Sequence, residues 1–125
     1  MVKKILYVAR GDEDKDIWDF LKEIHGLDCD EAYSLEEAKR AIEKTDYRGV
    51  LLASLQIPSN YAAEDEYCVG GLDLIEHIEE KDLRLLVMTS ASDNVIMRRM
   101  KERHKVIIKP TTHRTLIDSV IDVFG

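Results

Sequence analysis

The chain has 125 residues, of which 45% are hydrophobic and 34% charged, with only 2 Pro and 6 Gly. This composition predicts one soluble globular domain over residues 1–125 and excludes a low-complexity or largely disordered chain. Its net charge of −7 would repel a phosphate backbone, so a nucleic-acid partner is not expected.

The first half of the chain alternates strand and helix patterns. Ile5–Ala9 is an apolar run of strand length, and residues 27–33 form a weaker alternating run. Between these two runs, residues 17–24 carry apolar side chains at helical spacing. After the second run, residues 35–42 repeat that spacing. Ser34, followed three residues later by a glutamate, is a capping-box signal for the second of these helices.

The second half continues the alternation. Val50–Leu55 is an apolar run typical of a strand buried on both faces, and residues 85–88 and 106–108 are shorter runs of the same kind. Helical periods follow at residues 95–100 and 116–124, of which the last is the most apolar. The pattern predicts a three-layer α/β domain, in which a parallel sheet of five strands is covered by helices on both faces.

Two features single out one end of this sheet. Ser54 is the first polar side chain to follow the apolar run of the third strand, and an unusually long connection over residues 56–71 comes directly after it. Ligands of open α/β sheets bind at the carboxyl ends of the strands. The residues that the predicted strands bring to this rim are Ala9, Arg10, Ser54, Thr89, Ser90, Lys109 and Pro110.

Four stretches, KKILYV, VLLASLQIP, LLVMTS and VIIKP, give the whole chain a pattern that resembles the receiver domain of two-component response regulators. The resemblance implies a flavodoxin-like fold with strand order 2-1-3-4-5 and five helices. It also implies that Thr89 stands where a hydroxyl contacts a phosphoryl group, Ser90 where a small residue follows, and Lys109, before Pro110, where a lysine pairs with the site.

Three residues of this chain differ from the receiver pattern. A receiver phosphorylates its own aspartate with the help of Mg²⁺ held by an acidic pair after the first strand. Here the nucleophile position is Ser54, and Ala9 and Arg10 replace the acidic pair. A methyl, a guanidinium and a hydroxyl attract Mg²⁺ poorly, so neither a metal nor another cofactor is expected.

Arg10 would instead place a permanent positive charge beside Lys109. Two such cations repel by about 4 kcal/mol at about 4 Å in a surface-like dielectric, so an acidic group should neutralise them. The long connection supplies one source, Glu64–Glu66, folding back over the rim; an anionic ligand or a partner's carboxylate or phosphate is the other. We prefer the first.

A basic stretch, residues 98–105, is the candidate docking surface. It would steer an acidic partner, either a histidine kinase or another signalling protein, or the acidic part of a second copy through the fourth helix, fifth strand and last helix. The alternative interpretation is an ordinary solvated helix face. Its basic residues are Arg98, Arg99, Lys101, Arg103 and Lys105.

The remaining chemistry-bearing residues show no site pattern. Cys29 and Cys68 have no close cysteine partner, so neither a disulfide nor a CxxC metal site is predicted. The first apolar run is too short for a signal peptide or membrane span. We therefore expect a cytoplasmic protein. The four histidines are scattered without ligand spacing: His25, His77, His104 and His113.

The resemblance and its departures imply a non-enzymatic pseudo-receiver that signals through protein contacts, without aspartate phosphorylation. Two alternatives remain open. One is a phosphorelay receiver whose acids come from a shifted register, using Asp12, Glu13 or Asp14. The other is a small flavodoxin-like enzyme or an anion or nucleotide binder at the rim, although ARGDED contains one glycine where a dinucleotide fingerprint needs three.

Overall fold

The computed structural model describes residues 3–9, 19, 27–55, 57, 70–89, 101–108 and 112–124 of the chain. Five parallel strands form one sheet in the order β2-β1-β3-β4-β5, which confirms the predicted fold and strand order. The register runs straight across the sheet: Val8 pairs with Leu52, Leu52 with Val87, and Val87 with Val106. The strands are Lys3–Val8 (β1), Leu27–Ala32 (β2), Gly49–Leu52 (β3), Arg84–Thr89 (β4) and Lys105–Ile108 (β5).

Three helices are described in full: Leu35–Lys44 (α1), Gly70–Glu80 (α2) and His113–Phe124 (α3). Residues 101–103 are also helical. The apolar stripe predicted at residues 95–100 lies outside the described residues, as does the stripe at residues 17–24 apart from Asp19. Within the described part of the chain, none of the helices has the length and apolar character needed to cross a membrane.

The hydrophobic core occupies both faces of the sheet, because side chains alternate along each strand. On one face, Val50 and Leu52 of β3 pack with α1 and α2. On the other face, Leu51 packs with α3, whose Phe124 is 1% exposed. Burial on both faces explains why the strands read as continuous apolar runs.

The capping signal at α1 is partly realised. Ser34 is the N-cap, and its hydroxyl accepts a hydrogen bond from the Glu37 N–H at 3.1 Å. The reciprocal half of a capping box would use the Glu37 carboxylate. Its Oε2 is buried without a hydrogen-bond partner in the described part of the chain.

A polar network ties the edge strand β2 to the rest of the sheet. Tyr47, 6% exposed, donates a hydrogen bond of 2.6 Å to Oδ2 of Asp30, and Lys4 Nζ lies 3.3 Å from the same oxygen. Burial, together with the hydrogen bond to Asp30, raises the pKa of Tyr47 to about 12. The folded state therefore favours the neutral phenol.

We expect the Tyr47→Phe variant to lose about 1–2 kcal/mol of unfolding free energy at neutral pH, because Asp30 loses a donor. The raised pKa means that this contribution is complete below pH 10, the ordinary value, and fades as the pH rises toward 12. Urea unfolding of both proteins from pH 8 to pH 11 measures this. A difference that stays constant above pH 10 would contradict it.

The C-terminus of α2 ends at a left-handed residue. Asp82 has φ 56°, and the N–H of Leu83 donates to the Ile78 carbonyl at 3.2 Å. Glycine adopts this conformation without a Cβ penalty. We expect the Asp82→Gly variant to gain about 0.5–1 kcal/mol and Asp82→Ala to lose stability, as measured by the urea midpoint. A lower midpoint for Asp82→Gly than for the wild type would contradict the expectation.

Candidate functional site

The carboxyl-end rim of the sheet is built by the strand register. The Ala53 N–H donates to the Val8 carbonyl at 2.7 Å, and the Ala9 N–H donates to the Ala32 carbonyl at 3.1 Å. Leu52 of β3 pairs with Val87 of β4. Ser54 and Thr89 each lie two residues after this pair, so they are level with each other across the sheet. Ala9, Ser54 and Thr89 therefore occupy the carboxyl ends of three adjacent strands.

These three residues present a methyl group and two hydroxyls. Ala9 is completely buried, Thr89 is 5% exposed and Ser54 is partly exposed. Ser54 and Thr89 are both engaged in interactions of their own. The other predicted rim residues lie outside the described part of the chain: Arg10, Ser90, Lys109 and Pro110.

The described rim residues do not suit Mg²⁺. This ion prefers carboxylate and other hard oxygen ligands, together with water. Ala9 offers only a methyl, and Ser54 and Thr89 are uncharged. Among the described residues, no group of three or more His, Cys, Asp or Glu side chains could hold a metal ion.

A close backbone contact, here called the stem, joins the segment after β3 to the start of α2. The Gly71 N–H donates to the Leu55 carbonyl and the Gly70 N–H donates to the Ile57 carbonyl, both at 3.1 Å. Ile57 is completely buried. The stem explains why β3 ends at Leu52 and not at the predicted Leu55: beyond Ala53 the chain turns to bond with the helix.

The stem also closes the predicted long connection. Helix α2 begins at Gly70, inside the range 56–71 assigned to that connection from sequence. Ile57 and Gly70, the described residues on either side of segment 58–69, are therefore held together by a backbone hydrogen bond. Sequence reasoning missed the stem, although the Gly70–Gly71 pair directly before a helical period was a usable signal. The acids Glu64–Glu66 lie outside the described residues.

The described part of the basic segment 98–105 runs from the end of a helix, residues 101–103, into Lys105, the first residue of the edge strand β5. Lys101, Arg103 and Lys105 are all exposed, and the neighbouring apolar side chain of Ile108 is 36% exposed. Arg103 Nη1 lies 3.3 Å from Glu79 Oε2. The remaining basic residues, Arg98 and Arg99, fall outside the described part.

No sequence profile of a known family and no curated protein sequence matches the chain. Solved structures do match, and 211 chains are similar to it. One is a CheY-like response regulator receiver domain from Methanospirillum hungatei, 18% identical, with a TM-score of 0.76 over 98% of this chain and 93% of that one. The non-phosphorylated HemR receiver domain from Leptospira biflexa is 22% identical, with a TM-score of 0.77 over 98% and 94%.

A third match is a response regulator protein from Thermotoga maritima in complex with Mg²⁺ and BeF, 20% identical, with a TM-score of 0.74 over 96% and 97%. At these identities the similarity shows the fold, which is that of the receiver domains of response regulators. It does not by itself carry their chemistry over to this chain.

Proposed function

We propose that this chain is a pseudo-receiver that acts in cytoplasmic signal transduction by binding a protein partner, without aspartate phosphorylation. One observation carries the proposal. At the rim of a receiver fold, Ser54 follows the central strand β3, and the adjacent β1 is followed by the buried methyl of Ala9. A receiver needs carboxylates at these places, both for the nucleophile and for Mg²⁺.

The loss of the carboxylates removes two functions together. The hydroxyl of Ser54 is a weak nucleophile unless a neighbouring base activates it. Without charged ligands the affinity for Mg²⁺ falls as well, so the transferred phosphoryl group would lack its counter-ion. The fold would then signal by binding a protein partner.

Recognition is assigned to the surface around β5. The exposed cations Lys101 and Lys105 would attract an acidic partner and raise the rate of encounter. Helix α3 exposes two acids, Asp118 and Asp122. A second copy of this chain could therefore pair its acids with these cations in a two-fold arrangement.

The proposal predicts the outcome of a phosphorylation test. After incubation with acetyl phosphate and Mg²⁺, intact-protein mass spectrometry should show no hydroxylamine-labile increase of about 80 Da, the mass of one phosphoryl group. A stoichiometric adduct would falsify the proposal. It would support the phosphorelay alternative, whose acids come from residues 12–14, and peptide mapping would then locate the acceptor.

A further inference from the structure

Glu79, in the last turn of α2, contacts two residues of the basic segment at once. Its Oε1 lies 3.0 Å from Nε2 of His104, and its Oε2 lies 3.3 Å from Nη1 of Arg103. Both partners directly precede β5. We call these three residues the latch.

The two contacts of the latch differ in their exposure to solvent. The His104 side chain is 13% exposed and the Glu79 side chain 32%, whereas that of Arg103 is 70% exposed. The histidine contact is therefore shielded, and the arginine contact is open to water and to competing anions. An ion pair that is exposed on one side changes an equilibrium constant by at most about fivefold.

Glu79 also lowers the positive charge that the docking surface offers. Within residues 101–105, Lys101, Arg103 and Lys105 carry positive charge and Glu102 carries one negative charge, which leaves +2 when His104 is neutral. The Glu79 carboxylate reduces this to +1. A partner's carboxylate that approached Arg103 would find the guanidinium already paired with the carboxylate of Glu79.

We propose that Glu79 is an internal competitor of the acidic partner: the partner's carboxylate displaces Oε2 of Glu79 from Arg103, while His104 keeps Oε1. This inference rests on the docking surface of the proposed function and adds its regulation. The latch holds Arg103 and His104 against α2 in the free protein. Because the arginine contact is weak, a partner can open it at small cost.

The test compares Glu79→Gln with Glu76→Gln, a matched control. Glu76 is exposed on the same helix, so both variants change the net charge equally. The probe is fluorescently labelled poly-L-glutamate, with binding measured by anisotropy at low salt. We expect Glu79→Gln to bind roughly threefold to fivefold more tightly than Glu76→Gln. The gain should disappear in the Glu79→Gln/Arg103→Gln double variant.

Hydrogen exchange gives a second measurement that needs no ligand. Amides of residues 101–108 should exchange faster in Glu79→Gln than in Glu76→Gln, because the uncharged side chain no longer forms an ion pair with Arg103. Equal affinity or equal exchange in the two variants would overturn the latch and leave the proposed function intact.

A separate variant tests whether the basic residues bind an acidic partner at all. If they do not, the Lys101→Gln/Lys105→Gln variant would bind the probe as tightly as the wild type. That result would overturn both the docking surface and the competition by Glu79.

Discussion

The Gly71→Ala variant should unfold with about 3 kcal/mol less free energy than the wild type. A Cβ at this position would lie 2.4 Å from the Leu55 carbonyl oxygen and 2.6 Å from the Leu55 Cα. Both are backbone atoms of the stem, so no side-chain rotation relieves the overlap. Alanine is a better helix former than glycine by about 1 kcal/mol, but the overlap outweighs this gain.

Urea unfolding and thermal melting measure this loss, which should lower the melting temperature by roughly 10 °C. Glu76→Ala on the exposed side of the same helix is the control, and it should stay within about 0.5 kcal/mol of the wild type. If Gly71→Ala were as stable as the wild type, the stem could not hold the segment after β3 as closely as described.

Replacing Ala9, Arg10 and Ser54 together by aspartate should create a Mg²⁺-dependent phosphorylation site, whereas the wild type should not be phosphorylated under the same conditions. The fold already places residues 9 and 54 at the ends of neighbouring strands. The added carboxylates supply the ligands for Mg²⁺ and the nucleophile. Treatment with acetyl phosphate and Mg²⁺ should then give a hydroxylamine-labile adduct of about 80 Da.

Metal binding and nucleophilic attack can be separated in this experiment. The Ala9→Asp/Arg10→Asp variant should be stabilised by Mg²⁺, by about 2.7 kcal/mol at about 100 times its Kd, but should not be labelled. The wild type should show neither response. A Mg²⁺-dependent rise in the melting temperature of the wild type would mean that other acids of the chain hold the ion, and would contradict the pseudo-receiver proposal.

The strand predictions show how far pattern reasoning reaches. The runs read from sequence, such as 27–33 and 85–88, match strands β2 and β4 to within one residue at each end. The strand order, which came from the family resemblance, is confirmed as well. For β3 the predicted end at Leu55 was wrong by three residues, because the apolar pattern continues to Leu55 while the backbone has already turned to bond with Gly71 of α2.

At the rim, pattern reasoning likewise predicted positions better than roles. The strand register puts Ala9, Ser54 and Thr89 at the ends of neighbouring strands, and their part in a degenerate phosphorylation site stays a prediction. The roles of Arg10, Lys109 and the acids of the long connection stay predictions, since they lie outside the described residues.

The one-dimensional pattern was sufficient for the α/β class, the number of strands and the absence of carboxylates at three rim positions. This is because apolar periodicity records directly which side chains are buried, and residue identity records which chemical groups each rim position carries. The bonding partners in the stem, Leu55 with Gly71, and in the latch, Glu79 with Arg103, were identified only in the folded chain. These partners are distant in sequence, and they meet because the packing of α2 on the sheet brings them together.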